Sequence, residues 1–115
     1  MDLEQFHQAQ LRRVAQVAAS RAAQTIEVRK RLPAYREWLR AEGVVRAIVF
    51  GSLVRGELED HSDVDVAVEG LPPERHIEAI RVGWALLGRP VDVVRLEEAS
   101  PTLRASIEAT GEPLP

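Results

Sequence analysis

The chain has 115 residues, of which 45% are hydrophobic and 29% are charged, and its formal net charge at pH 7 is -3. This size and balance predict a single domain over residues 1–115, and they exclude a disordered chain or one that crosses a membrane. The absence of cysteine excludes disulfides and thiolate metal sites, so any metal must be bound by oxygen or imidazole.

The charge is unevenly distributed along the chain. Residues 1–50 hold nine basic and five acidic side chains, whereas residues 51–115 hold six and thirteen. This asymmetry fits either a solvated basic helix beside an acidic core or a basic face that docks an acidic partner. The net negative charge argues against a dedicated nucleic-acid surface. Residues 1–10 carry acids and amides rather than the basic and apolar segments of a signal peptide, which predicts a cytoplasmic protein.

The first third of the chain predicts helix. Residues 2–31 contain no glycine or proline and are rich in alanine, glutamine and arginine. An apolar stripe recurs at three- and four-residue steps through Leu11, Val14, Ala18, Ala22 and Ile26. Pro33 predicts the start of a second helix, which ends at Gly43. We therefore expect a helical extension over residues 1–32, followed by a core over residues 44–111.

Three apolar runs in that core predict strands, at residues 44–50, 63–68 and 90–94. A helix over residues 73–87 separates the second strand from the third, and a last helix runs from Ser100 to Gly111. Helical spacing predicts that the core-facing side chains are Ile77, Ile80, Trp84, Leu87, Leu103 and Ile107. This order of helices and strands predicts an α+β fold.

Two carboxylates interrupt the second apolar run, which reads DVDVAV. Residues two apart in a strand point to the same side, so Asp63 and Asp65 share one face while the valines face the core. Carboxylates this close raise each other's pKa unless a cation lies between them, and oxygen ligands favour Mg²⁺ or Mn²⁺. Asp92 interrupts the third strand in the same way, and it joins the cluster if the two strands are neighbours.

A glycine and a serine follow the first strand. Gly51 and Ser52 begin a short helix, where free backbone N–H groups and the hydroxyl can hold an anion. A phosphate site beside a two-metal carboxylate site suits phosphoryl or nucleotidyl transfer. An isolated Asp-x-Asp is more often an exposed strand face or turn, and an isolated Gly-Ser carries no weight. The ten-residue spacing between the two, together with Asp92, favours a functional site.

Other side chains near these motifs have more ordinary interpretations. Arg55 either contacts phosphates or braces the turn through Glu57 or Glu59, and we favour bracing. His61 is predicted to be a solvated loop residue. The two tryptophans, Trp38 and Trp84, fall at core spacing and are predicted to pack rather than to stack on a base.

The pattern G-S-x10-D-x-D resembles the motif of the minimal nucleotidyltransferase family in the DNA polymerase β-like superfamily. It is present here as Gly51-Ser52 and Asp63-Val64-Asp65, and the sequence RGE at residues 55–57 matches the Arg-Gly step of the family. The resemblance covers residues 44–111. It implies a polymerase β palm-like core, in which helices flank a small mixed sheet, with the long N-terminal helix as an addition. It also implies two Mg²⁺ ions, or Mn²⁺, held by Asp63, Asp65 and Asp92.

The same resemblance implies an activity: transfer of a nucleoside monophosphate, AMP from ATP or its counterpart from another NTP, to a hydroxyl, with release of pyrophosphate. Asp92 would bridge metal and hydroxyl and help to remove the hydroxyl proton, while Gly51, Ser52 and Arg55 would contact the nucleotide. Minimal nucleotidyltransferases pair with HEPN-domain toxins, so a HEPN tyrosine is the expected acceptor and this chain the expected antitoxin. Two alternatives stay open: neutralisation of the partner by contact alone, and nucleotidylation of a small molecule with a homo-oligomer completing the site.

Overall fold

The computed structural model describes residues 1–115 and begins with a helix of 39 residues, α1 (Leu3–Ala41). A reciprocal cap starts it: Asp2 Oδ1 accepts a hydrogen bond of 2.7 Å from the Gln5 N–H, and the Gln5 side chain accepts one of 3.2 Å from the Asp2 N–H. Residues 1–20 are all exposed. The buried side chains of α1 lie in its second half and are Val28, Leu32, Tyr35 and Leu39.

The predicted break at Pro33 is wrong, because α1 continues through this residue. A proline inside a helix removes one N–H donor and crowds the preceding turn. Here Pro33 faces solvent, while Leu32 and Tyr35 beside it are fully buried. Packing of the opposite face therefore holds the helix together across the defect.

Four strands form one mixed sheet in the order β3-β2-β1-β4. They are β1 (Arg46–Phe50), β2 (Val64–Glu69), β3 (Val91–Arg95) and β4 (Glu112–Pro113). β1 pairs antiparallel with β2 and β4, whereas β2 and β3 are parallel. The sheet and its helices confirm the predicted α+β class. β4 was not predicted, because two residues that include a proline carry no strand pattern.

Three further helices complete the chain: α2 (Ser52–Arg55), α3 (His76–Leu87) and α4 (Pro101–Thr110). Short 3₁₀ turns, Pro73–Arg75 and Leu96–Glu98, precede α3 and α4. None of the helices combines the length and the apolar content that crossing a membrane requires.

The core-facing prediction for α3 is wrong at two positions, because Ile77 is 77% exposed and Trp84 is 54% exposed. α3 instead buries a face of mostly small side chains, in which Gly83 lies against the fully buried ring of Tyr35. A bulky residue cannot occupy so close a contact between helices. Trp38, by contrast, is half-buried and stacks on Tyr35 with the ring centroids 6.3 Å apart.

The core-facing prediction for α4 holds at only one of its two positions. Leu103 is exposed, and Ile107 is the buried residue of the helix.

The two faces of the sheet are covered unequally. The valines at 64, 66 and 68 belong to the main core, which α1 and α3 close. On the other face Ile48, Ala67, Leu96 and Ile107 form a small second cluster under α4. Ion pairs from Arg46 to Glu108 and from Arg104 to Glu69 attach α4 to one end of this face. The opposite end, where β1 finishes and β2 and β3 begin, is left open.

Candidate active site

The pairing of β2 with β3 places two of the predicted carboxylates side by side. Asp65 and Asp92 are partners in the parallel register, and Phe50 at the end of β1 is opposite Asp65. Their neighbours Val64, Val66, Val91 and Val93 are buried in the main core. Because side chains alternate along a strand, Asp65 and Asp92 therefore share the other, open face. The condition on which the predicted cluster depended, that the two strands be neighbours, is met.

Asp65 lies at the electrostatic centre of this group. Burial raises the pKa of its carboxyl most, the negative charges of Asp92 and Asp63 raise it further, and Arg55 opposes them. Asp63 is exposed and precedes the first residue of β2. No three histidine, aspartate or glutamate side chains are close enough together to form a ready metal site. The structure thus brings Asp65 and Asp92 together, with Asp63 near enough to act on Asp65 through its charge.

Gly51 connects β1 to α2 directly above this pair. Its φ of +75° lies in the region that glycine adopts without strain. A Cβ at this position would overlap the carboxylate of Asp65. The main chain therefore approaches the carboxylate as closely as the absence of a side chain allows. Ser52 is the first residue of α2, in agreement with the predicted start of a short helix, and it is half-buried.

Arg55 at the end of α2 makes the bracing contact that the sequence favoured. Its Nε donates a hydrogen bond of 3.0 Å to Glu57 Oε2, and both side chains are mostly exposed. Its positive charge also reaches Asp65, as the pKa of that carboxyl shows. His61 is exposed, in agreement with its predicted solvated state.

Sequence reasoning missed a second arginine at the site, Arg89, which lies three residues before Asp92. Its Nη1 donates hydrogen bonds to the carbonyl oxygens of Glu59 (2.8 Å) and Ser62 (3.1 Å), and its Nη2 donates one to Gln24 Oε1 (2.7 Å). Burial lowers the pKa of Arg89, and the charge of Asp60 acts in the opposite direction. The only sequence signal was the position of Arg89 immediately before the Asp92 strand, in GRPVDVV. Nothing local marked Gln24 as its partner.

Comparison with known proteins gives one family match and one relative. The sequence model of the family described as "Polymerase beta, Nucleotidyltransferase" matches residues 36–114. A protein of Methanocaldococcus jannaschii with the provisional name protein adenylyltransferase MJ0435 is 35% identical over an alignment of 68 residues that covers 56% of this chain and 73% of that protein.

Solved structures share the fold. A chain provisionally assigned as a minimal nucleotidyltransferase superposes with a TM-score of 0.72 at 31% identity, covering 78% of this chain and 95% of the other. A chain of a toxin–antitoxin complex with AMP-PNP gives 0.64 at 25% identity, covering 75% and 71%. A chain from a complex of a tri-AMPylated Shewanella oneidensis HEPN toxin with its MNT antitoxin gives 0.61 at 23% identity, covering 76% and 71%, which is a likeness of fold alone.

Proposed function

We propose, from the premise that this chain belongs to the polymerase β nucleotidyltransferase family, that it transfers AMP from ATP to a hydroxyl of a partner protein. The observation that carries the proposal is the register that sets Asp65 beside Asp92 on the open face, under the Gly51 turn. We also propose that residues 44–111 are the catalytic core and residues 1–32 a helical extension. The start of the family match at residue 36 supports this division.

The carboxylates suit a hard divalent cation. Asp65 and Asp92 offer oxygen ligands from neighbouring strands. Burial raises the pKa of Asp65 most and repulsion by Asp92 and Asp63 raises it further, and a cation between the carboxylates would relieve that repulsion. We propose that Asp63, Asp65 and Asp92 hold two Mg²⁺ ions, or Mn²⁺. When bound, such ions would neutralise charge on the triphosphate.

The remaining roles belong to the protein's own groups. The Gly51–Ser52 turn offers backbone N–H groups and a hydroxyl to the phosphates. The missing side chain at Gly51 allows this turn to lie directly against the Asp65 carboxylate. Arg55 contacts the nucleotide from the rim of the site, where its charge already acts on Asp65. Asp92 is exposed, and its carboxylate accepts the proton of the attacking hydroxyl. The hydroxyl oxygen bonds to the α-phosphorus while the bond from that phosphorus to the pyrophosphate oxygen breaks, and pyrophosphate leaves.

The proposed acceptor is a tyrosine of a HEPN toxin, which would make this chain the antitoxin. Two fold neighbours of this chain are chains of toxin–antitoxin complexes: one complex contains AMP-PNP, and the other contains a tri-AMPylated HEPN toxin with its MNT antitoxin. The M. jannaschii relative, which is more similar in sequence, is named as a protein adenylyltransferase. These likenesses favour a protein acceptor over a small molecule.

The test is transfer of label from [α-³²P]ATP, with Mg²⁺, to a HEPN-type protein from the same genome. The wild-type chain is expected to label that protein, Asp63→Ala is expected to abolish the label, and Glu37→Gln, which changes an exposed carboxylate on α1, is expected to retain it. Absence of label from every such acceptor would contradict the proposal.

A second candidate function is neutralisation of a partner by contact alone. The observation that favours it is the exposed first half of α1, with apolar side chains such as Leu3 (86% exposed) and Val14 (67% exposed). If contact suffices, the double variant Asp63→Ala, Asp65→Ala will neutralise the toxin as well as the wild type does. If chemistry is required, it will fail to neutralise the toxin while still binding it.

A further inference from the structure

Asp63 needs support from outside the sheet. Residues 56–63, between α2 and β2, are in neither helix nor strand, and the pairing of β2 with β3 starts only at Val64 opposite Val91. Asp63 therefore lies at the end of an irregular segment, whereas Asp65 and Asp92 are fixed by strand pairing. Anything that holds this segment also sets the position of Asp63 relative to the other two carboxylates.

Arg89 contacts the segment at its last peptide bond. The Ser62 carbonyl that accepts from Arg89 Nη1 belongs to the peptide that leads into Asp63. The same nitrogen also donates to the Glu59 carbonyl at the start of the turn. Within the turn, the Glu59 N–H donates a hydrogen bond of 3.0 Å to Ser62 Oγ. A single guanidinium nitrogen therefore holds both ends of the turn at residues 59–62, which immediately precedes Asp63.

Arg89 is also attached to the strand that carries Asp92. Pro90 follows it directly, and the Val64 N–H donates a hydrogen bond of 3.0 Å to the Pro90 carbonyl, just before the register begins. The side chain of Arg89 therefore holds the start of β2 while its own main chain leads into β3. Asp63 and Asp92 are connected through this one residue.

α1 holds the far side of the guanidinium. Gln24 Oε1 accepts from Arg89 Nη2, and the Gln24 amide donates to Asp60 Oδ1 in the same turn. Arg21, one helical turn earlier, pairs with Glu59 at 2.5 Å. Arg89 has no carboxylate within ion-pair distance, and its hydrogen bonds go to two carbonyls and one amide. The planar guanidinium fork meets these acceptors with two separate nitrogens, whereas a lysine ammonium carries its three N–H groups on a single nitrogen.

We propose that Arg89 is a positioning residue that fixes Asp63 relative to Asp92 and thereby sets the affinity of the three-carboxylate site for a divalent cation. The inference rests on the proposed function for its chemistry, but its geometry is independent of the acceptor. Residues that orient metal ligands without touching the metal change metal affinity about 10- to 100-fold when they are replaced. We therefore expect Arg89→Gln to weaken Mn²⁺ binding about tenfold.

Three measurements on the full chain test the proposal: Mn²⁺ affinity by electron paramagnetic resonance, exchange of the Val64 amide, and the Mg²⁺ dependence of transfer. In Arg89→Gln we expect weaker Mn²⁺ binding, faster exchange of the Val64 amide, and a Mg²⁺ concentration for half-maximal transfer about tenfold higher. The KM for the acceptor should not change, whereas a general loss of structure would alter it too. Arg81→Gln is the matched control, because it removes another α3-region arginine, one that pairs only with Glu78 on the surface.

Two milder variants decide the matter if Arg89→Gln fails to fold. Arg89→Lys keeps the charge but not the fork, and Gln24→Ala removes the support behind the fork. Both are expected to weaken Mn²⁺ binding, by a smaller factor than Arg89→Gln does. The proposal would be overturned if every folded variant kept the Mn²⁺ affinity and the Val64 amide exchange rate of the wild type. It would also be overturned if the wild-type protein bound no Mn²⁺. If the wild type binds Mn²⁺ but transfers no nucleotide, the proposed function fails, while Mn²⁺ affinity and Val64 exchange still decide the role of Arg89.

Discussion

At the scale of single residues, the site depends on the contact between a glycine and a carboxylate. Gly51 combines a positive φ with a main chain pressed against Asp65, so two independent requirements exclude a side chain there. Gly56, five residues later, has a similar φ of +71° but open space where its Cβ would lie. Both positions disfavour a side chain through their positive φ, but only at Gly51 would a Cβ also overlap a neighbouring group.

The first prediction compares alanine substitutions at these two glycines. Gly56→Ala should cost about 1–2 kcal/mol of folding free energy because Gly56 has a left-handed helical backbone. Gly51→Ala should cost about 1–3 kcal/mol because Gly51, with a ψ of -146°, lies in a backbone region essentially restricted to glycine. Only Gly51→Ala should also displace the Asp65 carboxylate and slow nucleotide transfer about 100-fold, the effect of a small misplacement in a positioned site. Thermal unfolding and initial rates of label transfer measure the two effects. Equal transfer rates in the two variants would show that the contact with Asp65 has no catalytic consequence.

The second prediction concerns the charge of Asp65. A carboxyl whose pKa is raised by folding favours the folded state when protonated, so its contribution is present at low pH and is lost as pH rises through the raised pKa. At pH 7 and without metal, Asp65→Asn should therefore unfold at a higher temperature than the wild type. The difference should disappear below the ordinary Asp value of 3.8. A lower midpoint for Asp65→Asn at pH 7 would mean that neither burial nor the neighbouring charges disfavour the ionised Asp65 carboxylate.

At the scale of elements, the sequence predicted what local pattern and strand alternation control. The three long strands were found because each is a β-branched run, and the common face of Asp65 and Asp92 follows from their alternation with valines. Whether β2 and β3 were neighbours could not be read from the sequence, because pairing depends on the whole chain. β4 and the continuation of α1 through Pro33 are held by long-range packing.

α3 illustrates the same limit in packing. Apolar spacing favoured a face with Ile77 and Trp84, yet the helix buries the face of Ala79, Gly83 and Leu87. The choice is set by Tyr35 on α1, whose hydroxyl donates a hydrogen bond of 2.7 Å to the Ala79 carbonyl. A sequence pattern records how apolar each face of a helix is, but not how close its neighbouring helix lies.

The third prediction concerns Gly83→Ala, a substitution for which helix propensity and the packing against Tyr35 predict opposite effects on stability. Helix propensity alone predicts that Gly83→Ala stabilises the protein by about 1 kcal/mol. A Cβ there would lie 2.9 Å from Tyr35 Cζ and 3.0 Å from Val91 Cγ2, so we expect a destabilisation of about 1–3 kcal/mol from overpacking. Urea denaturation measures the change. The Tyr35 hydroxyl lies 3.0 Å from the same Cβ, so the cost of Gly83→Ala should be smaller in a Tyr35→Phe background than in the wild type. A stabilised Gly83→Ala would disprove the tight packing of α1 on α3.

At the scale of the whole molecule, α1 is much longer than the body it packs against. Its 39 residues span about 58 Å at the helical rise, close to the longest dimension of 60 Å. Tyr35 contacts the middle of α3, and Gln24 contacts Arg89 just beyond the end of α3. Toward its N-terminus α1 therefore passes the end of the sheet where Asp65 and Asp92 lie and continues into solvent.

The fourth prediction separates the two parts of this helix. Deleting residues 2–19 removes only exposed side chains and leaves Ser20 to cap the shortened helix, so the unfolding midpoint of the body should not change. Deleting residues 2–26 also removes Arg21 and Gln24, which contact the turn at residues 59–62 before Asp63, and it should slow nucleotide transfer. A lower unfolding midpoint after deletion of residues 2–19 would mean that these residues pack against the rest of the protein, in contrast to the structure. Equal transfer in both deletions would contradict the coupling of α1 to the site.

We propose that Asp63, Asp65 and Asp92 hold cations against a triphosphate bound at the Gly51–Ser52 turn. The most direct measurement is a crystal structure of the protein grown with Mg²⁺ and a non-hydrolysable ATP analogue. We expect metal density in contact with Asp65 and Asp92, and phosphate density at the backbone N–H groups of Gly51 and Ser52. An analogue bound elsewhere, with no metal at these carboxylates, would contradict the claim.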